Sequence, residues 1–246
     1  ALQRLSSGLR VNSSKDDAAG LAVAEKMNSQ SRGMTVAIRN ANDGLSLAQT
    51  AEAGMNVIVE HLQRMRDLAV QSASGQYDSD NRGALDTEFQ QLKSEIDRVV
   101  SATNFNGKQL LNGNFSTGIT FQVGATTTDE SRIDISIAKV DVSGINSISG
   151  SVGQSGLNAM SAIDKVIGEL NTNRASLGAI QNRFEGVLTQ LSAAQENTEA
   201  ARSRIMDADY ASETARLARA QVLQQAGVAM LSQANALPQN VLSLLQ

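Results

Sequence analysis

The stretch ANDGLSLAQTAEAGMNVIVEHLQRMRDLAVQS, residues 41–72, decides the fold class. Ala41, Leu45, Ala48, Glu52, Met55, Val59, Leu62, Arg66 and Ala69 recur at alternating steps of four and three, and a second row runs Ala51, Met55, Ile58, Leu62, Met65, Ala69. Such steps place side chains on one face of an α-helix, which completes a turn in about 3.6 residues. The two rows merge into one broad apolar stripe on a helix from about Thr35 to Ser72. At ~1.5 Å per residue it is about 55 Å long, too long for a compact domain of this size and natural for a rod.

Upstream, residues 1–5 read as the end of a helix with no start signal, interrupted by Ser6, Ser7 and Gly8. The pattern restarts at residues 12–17, where Ser14 and Asp17 resemble a capping arrangement and Asp16 and Asp17 suit a helix N-terminus. A helix over about residues 16–30 follows, with a pause at Gly33. Downstream, residues 75–83 carry turn residues, and a return helix over about 84–102 aligns Leu85, Phe89, Leu92, Ile96 and Val99. Residues 104–107 and 112–114 read as turn material. Ile119, Phe121 and Val123 alternate with polar residues, as do Ile133, Ile135 and Ile137, which predicts a hairpin around the polar loop 124–131. Residues 143–156, rich in Gly and Ser, read as a loose connection. Helical spacing resumes at Leu157 and continues to about Ser203, with Leu177, Ile180, Phe184, Val187, Leu191, Ala194, Thr198, Ala201 and Ile205 on one face. Residues 207–210 cap a last helix to about Ala236, which Pro238 ends. Residues 241–245 form an apolar tail.

Helices, a small β region, then helices again predict a mainly α fold: an elongated antiparallel helical bundle or coiled-coil rod with a small β-hairpin region in the middle. Each buried Leu, Ile or Met stabilises it by about 1.5–3 kcal/mol. Composition agrees. Hydrophobic residues make up 41% of the 246 residues but aromatics only 3%, a mix that suits narrow helix–helix seams. Proline occurs once.

The net charge of −4, with no dense Lys/Arg run, argues against nucleic acid as a partner. No apolar stretch reaches the length of a membrane span, and no membrane partner is expected. Without cysteine there is neither disulfide nor thiolate chemistry. The sole histidine, His61, lies between Glu60 and Leu62 on the long helix and reads as a packing or surface residue. It has no second His or Cys to share a metal. Asp16 with Asp17, and Asp207 with Asp209, open helices, where capping accounts for them. Nothing points to catalysis, a cofactor or a metal. Surface stands out instead. Ala226, Met230, Leu231, Ala234 and Leu237 are apolar and mostly small, and Gln221, Gln224, Gln225, Gln233 and Gln239 accompany them. This is a packing surface for like copies.

Several motifs resemble those of the bacterial flagellins. In the first half these are Arg4-Leu5-Ser6-Ser7-Gly8-Leu9-Arg10-Val11-Asn12-Ser13, Lys15-Asp16-Asp17-Ala18-Ala19-Gly20 and residues 39–52, RNANDGLSLAQTAE. In the second half they are Leu177-Gly178-Ala179-Ile180-Gln181-Asn182-Arg183-Phe184, Ala200-Ala201-Arg202-Ser203-Arg204-Ile205, Asp207-Ala208-Asp209-Tyr210-Ala211, Gln233-Ala234-Asn235 and Pro238-Gln239-Asn240-Val241-Leu242-Ser243-Leu244-Leu245. The resemblance covers both helical halves and leaves only residues 112–156 to generic reading.

The resemblance implies an extracellular subunit of the bacterial flagellar filament, secreted by the flagellar type III apparatus through an uncleaved N-terminal region. Its divisions would be residues 1–15 as the end of an inner-core helix and its linker, 16–103 and 157–205 as two halves of a helical rod, 104–156 as the β region and connection, and 206–246 as the inner-core helix and tail. The short middle leaves no room for outer domains. The implied partners are other copies of the chain, an export chaperone, hook-associated and cap proteins, and a host innate immune receptor. Chaperone and filament-core contacts would fall on Tyr210, Leu217, Val222, Leu223, Met230, Leu231, Leu237, Val241, Leu242, Leu244 and Leu245. Receptor and protofilament contacts would fall on Gln63, Arg64, Arg66, Asp67, Leu68, Val70 and Glu88. Flagellins also carry a helical segment ahead of the position of Ala1, and the expectation is that this segment is missing here. The alternatives are a hook–filament junction protein, which shares the terminal regions, and a filament-borne protease, against which the short middle without metal ligands argues.

Overall fold

The computed structural model describes residues 2–150 and 153–243, and side-chain surroundings up to residue 234. The described residues form five α-helices: α1 (Leu2–Ser7), α2 (Ala18–Ala73), α3 (Ser79–Ala102), α4 (Gln154–Met206) and α5 (Tyr210–Ser243). Four short strands lie between α3 and α4. Strands β1 (Asn104–Phe105) and β2 (Lys108–Gln109) pair antiparallel, and so do β3 (Ile119–Gln122) and β4 (Arg132–Ile135). A mainly α fold with a small β element is what the spacing predicts. The described residues divide into two compact units, one of residues up to Arg32 with those from Ala194 onward, the other Gly33–Ala193.

In the second unit the apolar stripe of α2 is the centre of the core. Met55, Ile58, Leu62, Met65 and Ala69 are fully buried, as are Phe89 and Ile96 of α3 and Ile163 and Phe184 of α4. The two rows read from the sequence are buried except where they reach Leu45, Glu52 and Arg66 at the edge of the stripe. Helix direction follows from the cross-contacts. Glu52 meets Gln181, Arg66 meets Asp164, and a Cβ on Gly44 would strike Phe184. Numbers rise along α2 as they fall along α4, so the two run antiparallel. Arg64 meets Glu88 and Gly54 lies against Thr103, so α3 also runs antiparallel to α2. Asp78 caps α3 by accepting the Asn81 N–H at 2.8 Å.

The predicted hairpin is present, in the register Ile119↔Ile135, Thr120↔Asp134, Phe121↔Ile133, Gln122↔Arg132. Phe121 meets Phe184 edge-on, with ring centroids 6.0 Å apart. Strand β4 stops at Ile135, but Ile137 remains buried and its N–H donates to the Phe115 carbonyl at 3.0 Å.

In the first unit, Arg10 of the linker after α1 donates from its guanidinium to the Ile205 carbonyl at 2.6 and 3.2 Å. It thereby satisfies the C-terminal end of α4 with a cation. Leu9 and Asp207 form an isolated antiparallel bridge beside it, and Tyr210 donates its hydroxyl to the Leu5 carbonyl at 3.2 Å. Glu199 is held below the usual carboxylate range, first by the Ser31 hydroxyl and then by Arg202. Asp209 accepts the N–H groups of Ala211 and Ser212 and so caps α5, as read from the sequence.

Several expectations are corrected. Gly33 does not pause the helix, because α2 is continuous from Ala18 to Ala73. That glycine instead admits a neighbouring loop: a Cβ there would stand 2.8 Å from the Cβ of Ala125. The cap of α2 is Asp17, whose carboxylate accepts the Gly20 N–H at 2.8 Å, and not Ser14. Residues 104–109 are a hairpin of their own rather than turn material alone. The connection up to residue 150 is not loose. Ile145 and Ile148 are fully buried, and their carbonyls accept from Lys93 at 2.6 Å and Ser72 at 2.7 Å. The Gly/Ser content concealed an apolar residue at every third or fourth place. Helix α5 does not end at Pro238 but continues to Ser243. One proline removes one helical hydrogen bond and kinks the chain, and helix-forming residues on both sides carry the helix past it.

Candidate assembly surfaces

Two surfaces carry the residues singled out by sequence. The first lies on α2 and α3. Gln63, Arg64, Asp67 and Val70 are exposed, and Arg66 and Glu88 half-buried. Leu68 is not on this surface: at 1% exposure its side chain belongs to the core. Helical spacing explains the difference, since Leu68 is three and six residues beyond Met65 and Leu62, on the buried stripe. Arg64 donates to Glu88 at 2.7–2.8 Å. Arg66 donates to Asp164 through Nε at 2.7 Å and Nη2 at 3.5 Å, and this pairing raises the Arg66 pKa further. The two arginines therefore tie α2 to α3 and to α4. Their guanidinium groups are held in fixed orientations at the surface. Nothing in sequence spacing could have found Asp164, 98 residues away.

The second surface is α5. Tyr210, Val222, Leu223, Met230 and Leu231 are 54–70% exposed, and Leu217 is half-buried. Val228, at 63%, belongs with them and was not singled out by sequence. At about 100° per residue, these apolar positions are spread around the helix rather than gathered on one stripe. Arg216, Arg219 and several glutamines stand between them, so exposed apolar side chains look out on several sides of a helix that is otherwise polar. Between Ala211 and Ala234 only Glu213 is buried. Leu237, Val241 and Leu242 lie in the same helix, beyond the residues whose side chains are described. Leu244 and Leu245 lie outside the described residues.

No group of three His, Cys, Asp or Glu among the described residues is placed to hold a metal ion. No described helix is long and apolar enough to cross a membrane.

Comparison with known proteins agrees with this arrangement. The bacterial flagellin N-terminal helical region matches residues 1–116, and the bacterial flagellin C-terminal helical region matches residues 160–245. Those two matches take in α2 with its stripe and α5 with its bare apolar residues, and they define the class: a helical structural protein of the bacterial flagellum. A flagellin of Halalkalibacterium halodurans is 45% identical over 250 residues, covering 100% of this chain and 91% of that one. The chain belongs to the bacterial flagellin family, as a structural subunit of the flagellar filament.

Among solved structures, a Bacillus cereus flagellin superposes with a TM-score of 0.56 at 28% identity, over 62% of this chain and 88% of that one. A Vibrio parahaemolyticus chain described as a flagellar hook-associated protein gives 0.66 at 14% identity, over 78% of this chain and 100% of that one. At that identity the likeness extends to the fold alone.

Proposed function

We propose that the chain is exported through the flagellar type III apparatus and polymerises outside the cell with copies of itself, and that α5 is the surface which assembly covers. The observation that carries this reading is the exposure of apolar residues on several sides of α5, whereas the second unit buries its own stripe except at the edge. Tyr210, Leu217, Val222, Leu223, Met230 and Leu231, with Leu237, Val241, Leu242, Leu244 and Leu245 further along, supply the contacts. An export chaperone covers the same residues before assembly, and hook-associated and cap proteins bound the finished filament. On this reading residues 1–15 and 206–246 form the inner core, 16–103 and 157–205 the rod, and 104–156 the β region.

The face of Gln63, Arg64, Arg66, Asp67, Val70 and Glu88 serves neighbouring copies in the filament and a host innate immune receptor on the free subunit. The reading is supported by the exposure of Gln63, Arg64, Asp67 and Val70 and by the ion pairs that hold Arg64 and Arg66 in place.

The test is seeded polymerisation of the full-length product, followed by electron microscopy. Wild-type chain extends seeds into long filaments. Leu223→Asp and Leu231→Asp chains keep the wild-type melting temperature and fail to extend them. A wild-type chain that only caps seeds, without growth, would transfer the reading to a junction protein.

A further inference from the structure

Two Asn-Gly pairs lie between α3 and β3, and the fold treats them differently. Asn106 and Gly107 form the tip of hairpin β1–β2, closed by the pair Phe105↔Lys108. Both residues have left-handed backbones, φ 50° and 75°, as a two-residue primed turn requires. Both are exposed, and a Cβ on Gly107 would meet nothing within 4 Å. Among the described residues the Asn106 side-chain amide has no hydrogen-bond partner, and the Gly107 N–H has no backbone acceptor. Asn112 is half-buried and held at both ends of its amide. Its Nδ2 donates to Gln109 Oε1 at 2.7 Å and its Oδ1 accepts the Asn114 N–H at 3.0 Å. A Cβ on Gly113 would lie 3.2 Å from the Lys139 side chain.

We propose that Asn106 is a site of spontaneous covalent modification, converting from amide to carboxylate in the native subunit while Asn112 stays intact. The Gly107 amide gives up its proton to solvent, and its nitrogen attacks Cγ of Asn106. A bond forms between them as the Cγ–Nδ2 bond breaks, and the side-chain nitrogen leaves as ammonia after taking a proton from water. The resulting cyclic imide is opened by water at either carbonyl. One opening yields an ordinary aspartate; the other yields a β-aspartyl linkage, in which the main chain runs through Cγ. One water is consumed, one ammonia is released, and nothing is oxidised or reduced.

Glycine in the following position leaves the attacking nitrogen unshielded. The step is intramolecular, so its rate depends on how often the side chain reaches attack geometry, and a free side chain reaches it more often than a tethered one. The product matters to this fold. Asn106 shares with Asp43, Lys108 and Phe105 a groove of about 480 Å³, so the new carboxylate adds a negative charge to a lining that already holds one carboxylate and one ammonium. A β-aspartyl linkage lengthens the turn and breaks the register Asn104↔Gln109 and Phe105↔Lys108. The turn therefore records the chemical age of the subunit.

The native chain would be held at mildly alkaline pH, digested and mapped by mass spectrometry, in parallel with chain unfolded in urea. The expected result is conversion at Asn106 at least about tenfold faster than at Asn112 in the native chain, because Asn112 must first release two hydrogen bonds. In urea the two rates converge. An equal or inverted ratio in the native chain overturns the proposal, as does an Asn106 that survives in the native chain while it converts in urea. A ratio that persists in urea assigns the difference to neighbouring residues and overturns the structural account. Asn106→Gln, which would have to close a larger ring, abolishes the signal at this turn. Its melting temperature shows whether the hairpin survives the change.

Discussion

Leu62 of α2 and Leu231 of α5 are the same residue on the same kind of element, yet one is fully buried and the other 66% exposed. The difference does not lie in apolar content. Helix α2 gathers its apolar residues on one stripe, which α3 and α4 cover from the same chain. Helix α5 spreads them around its circumference, where no helix of a single subunit could cover them all. On the proposed reading the first region is completed by folding and the second by association. Apolar helix surface left uncovered within the subunit stores about 25 cal/mol per Å² for whatever covers it.

The sharpest way to break this comparison is to truncate one member of each region. Phe184 is fully buried, meets Phe121 edge-on and packs on Gly44. Phe184→Ala should destabilise the subunit by about 3–5 kcal/mol, read as a lower urea midpoint with an unchanged slope. Leu231→Ala should change subunit stability by less than about 0.5 kcal/mol, as at an exposed site, while raising the concentration at which filaments begin to grow. A large loss of subunit stability at Leu231 would mean that α5 is already packed in the free chain, and the contrast between the regions would collapse.

The stripe of α2 was legible because burial on one side of a helix imposes a period, and a period survives in a single sequence. The hairpin at 119–135 was legible for the same reason with a period of two. Partners brought from far along the chain were not: Asp164 for Arg66, Gln181 for Glu52 and the Ile148 carbonyl for Ser72 leave no local trace. Gly33 misled because a glycine breaks a helix in isolation but also admits a close neighbour, and only tertiary structure separates the two roles. Leu68 misled in a different way. A resemblance transfers a position but not its exposure, and the period, taken alone, would have placed Leu68 in the core. For α5 the sequence offered small apolar residues among glutamines, read as a packing surface for like copies, but did not show that the larger apolar residues face several sides of the helix.

A capping substitution sharpens the comparison at intermediate size. Asp78→Ala removes the acceptor of the Asn81 N–H at the start of α3 and should cost about 1 kcal/mol, measured by thermal or urea unfolding. The equivalent change at the start of α5, Asp209→Ala, also removes a cap, one that accepts from Ala211 and Ser212. Among the described residues α5 is packed only in its first turns, against α1 and outside the second unit, so its cap should affect local helicity, seen as faster amide exchange in those turns, and leave the unfolding midpoint of the second unit unmoved. Equal shifts in global midpoint from the two caps would show that α5 unfolds together with the second unit.

The smallest effect belongs to Asp141, in the segment that follows β4. Hydrogen bonds from the Ser143 hydroxyl and backbone N–H, with Lys139 alongside, lower its pKa from 3.8 to about 2. A carboxylate with a depressed folded-state pKa stabilises the fold fully above its unfolded value. That contribution is lost as pH falls from 3.8 through about 2. The group is solvent-exposed, so screening keeps the effect small. Urea midpoints of wild type and Asp141→Asn, measured from neutral pH downward, should differ by a constant small amount and converge only below pH 3.8. Convergence is the diagnostic feature, because protonation removes from the wild type the charge that the asparagine never had. Because Asp141 lies in the unit that buries its own stripe, the shift should appear in the unfolding of that unit, and the concentration at which filaments begin to grow at neutral pH should be the same for both chains. A change in that concentration would place Asp141 on an assembly surface, and the second unit would then share with α5 the property that distinguishes them.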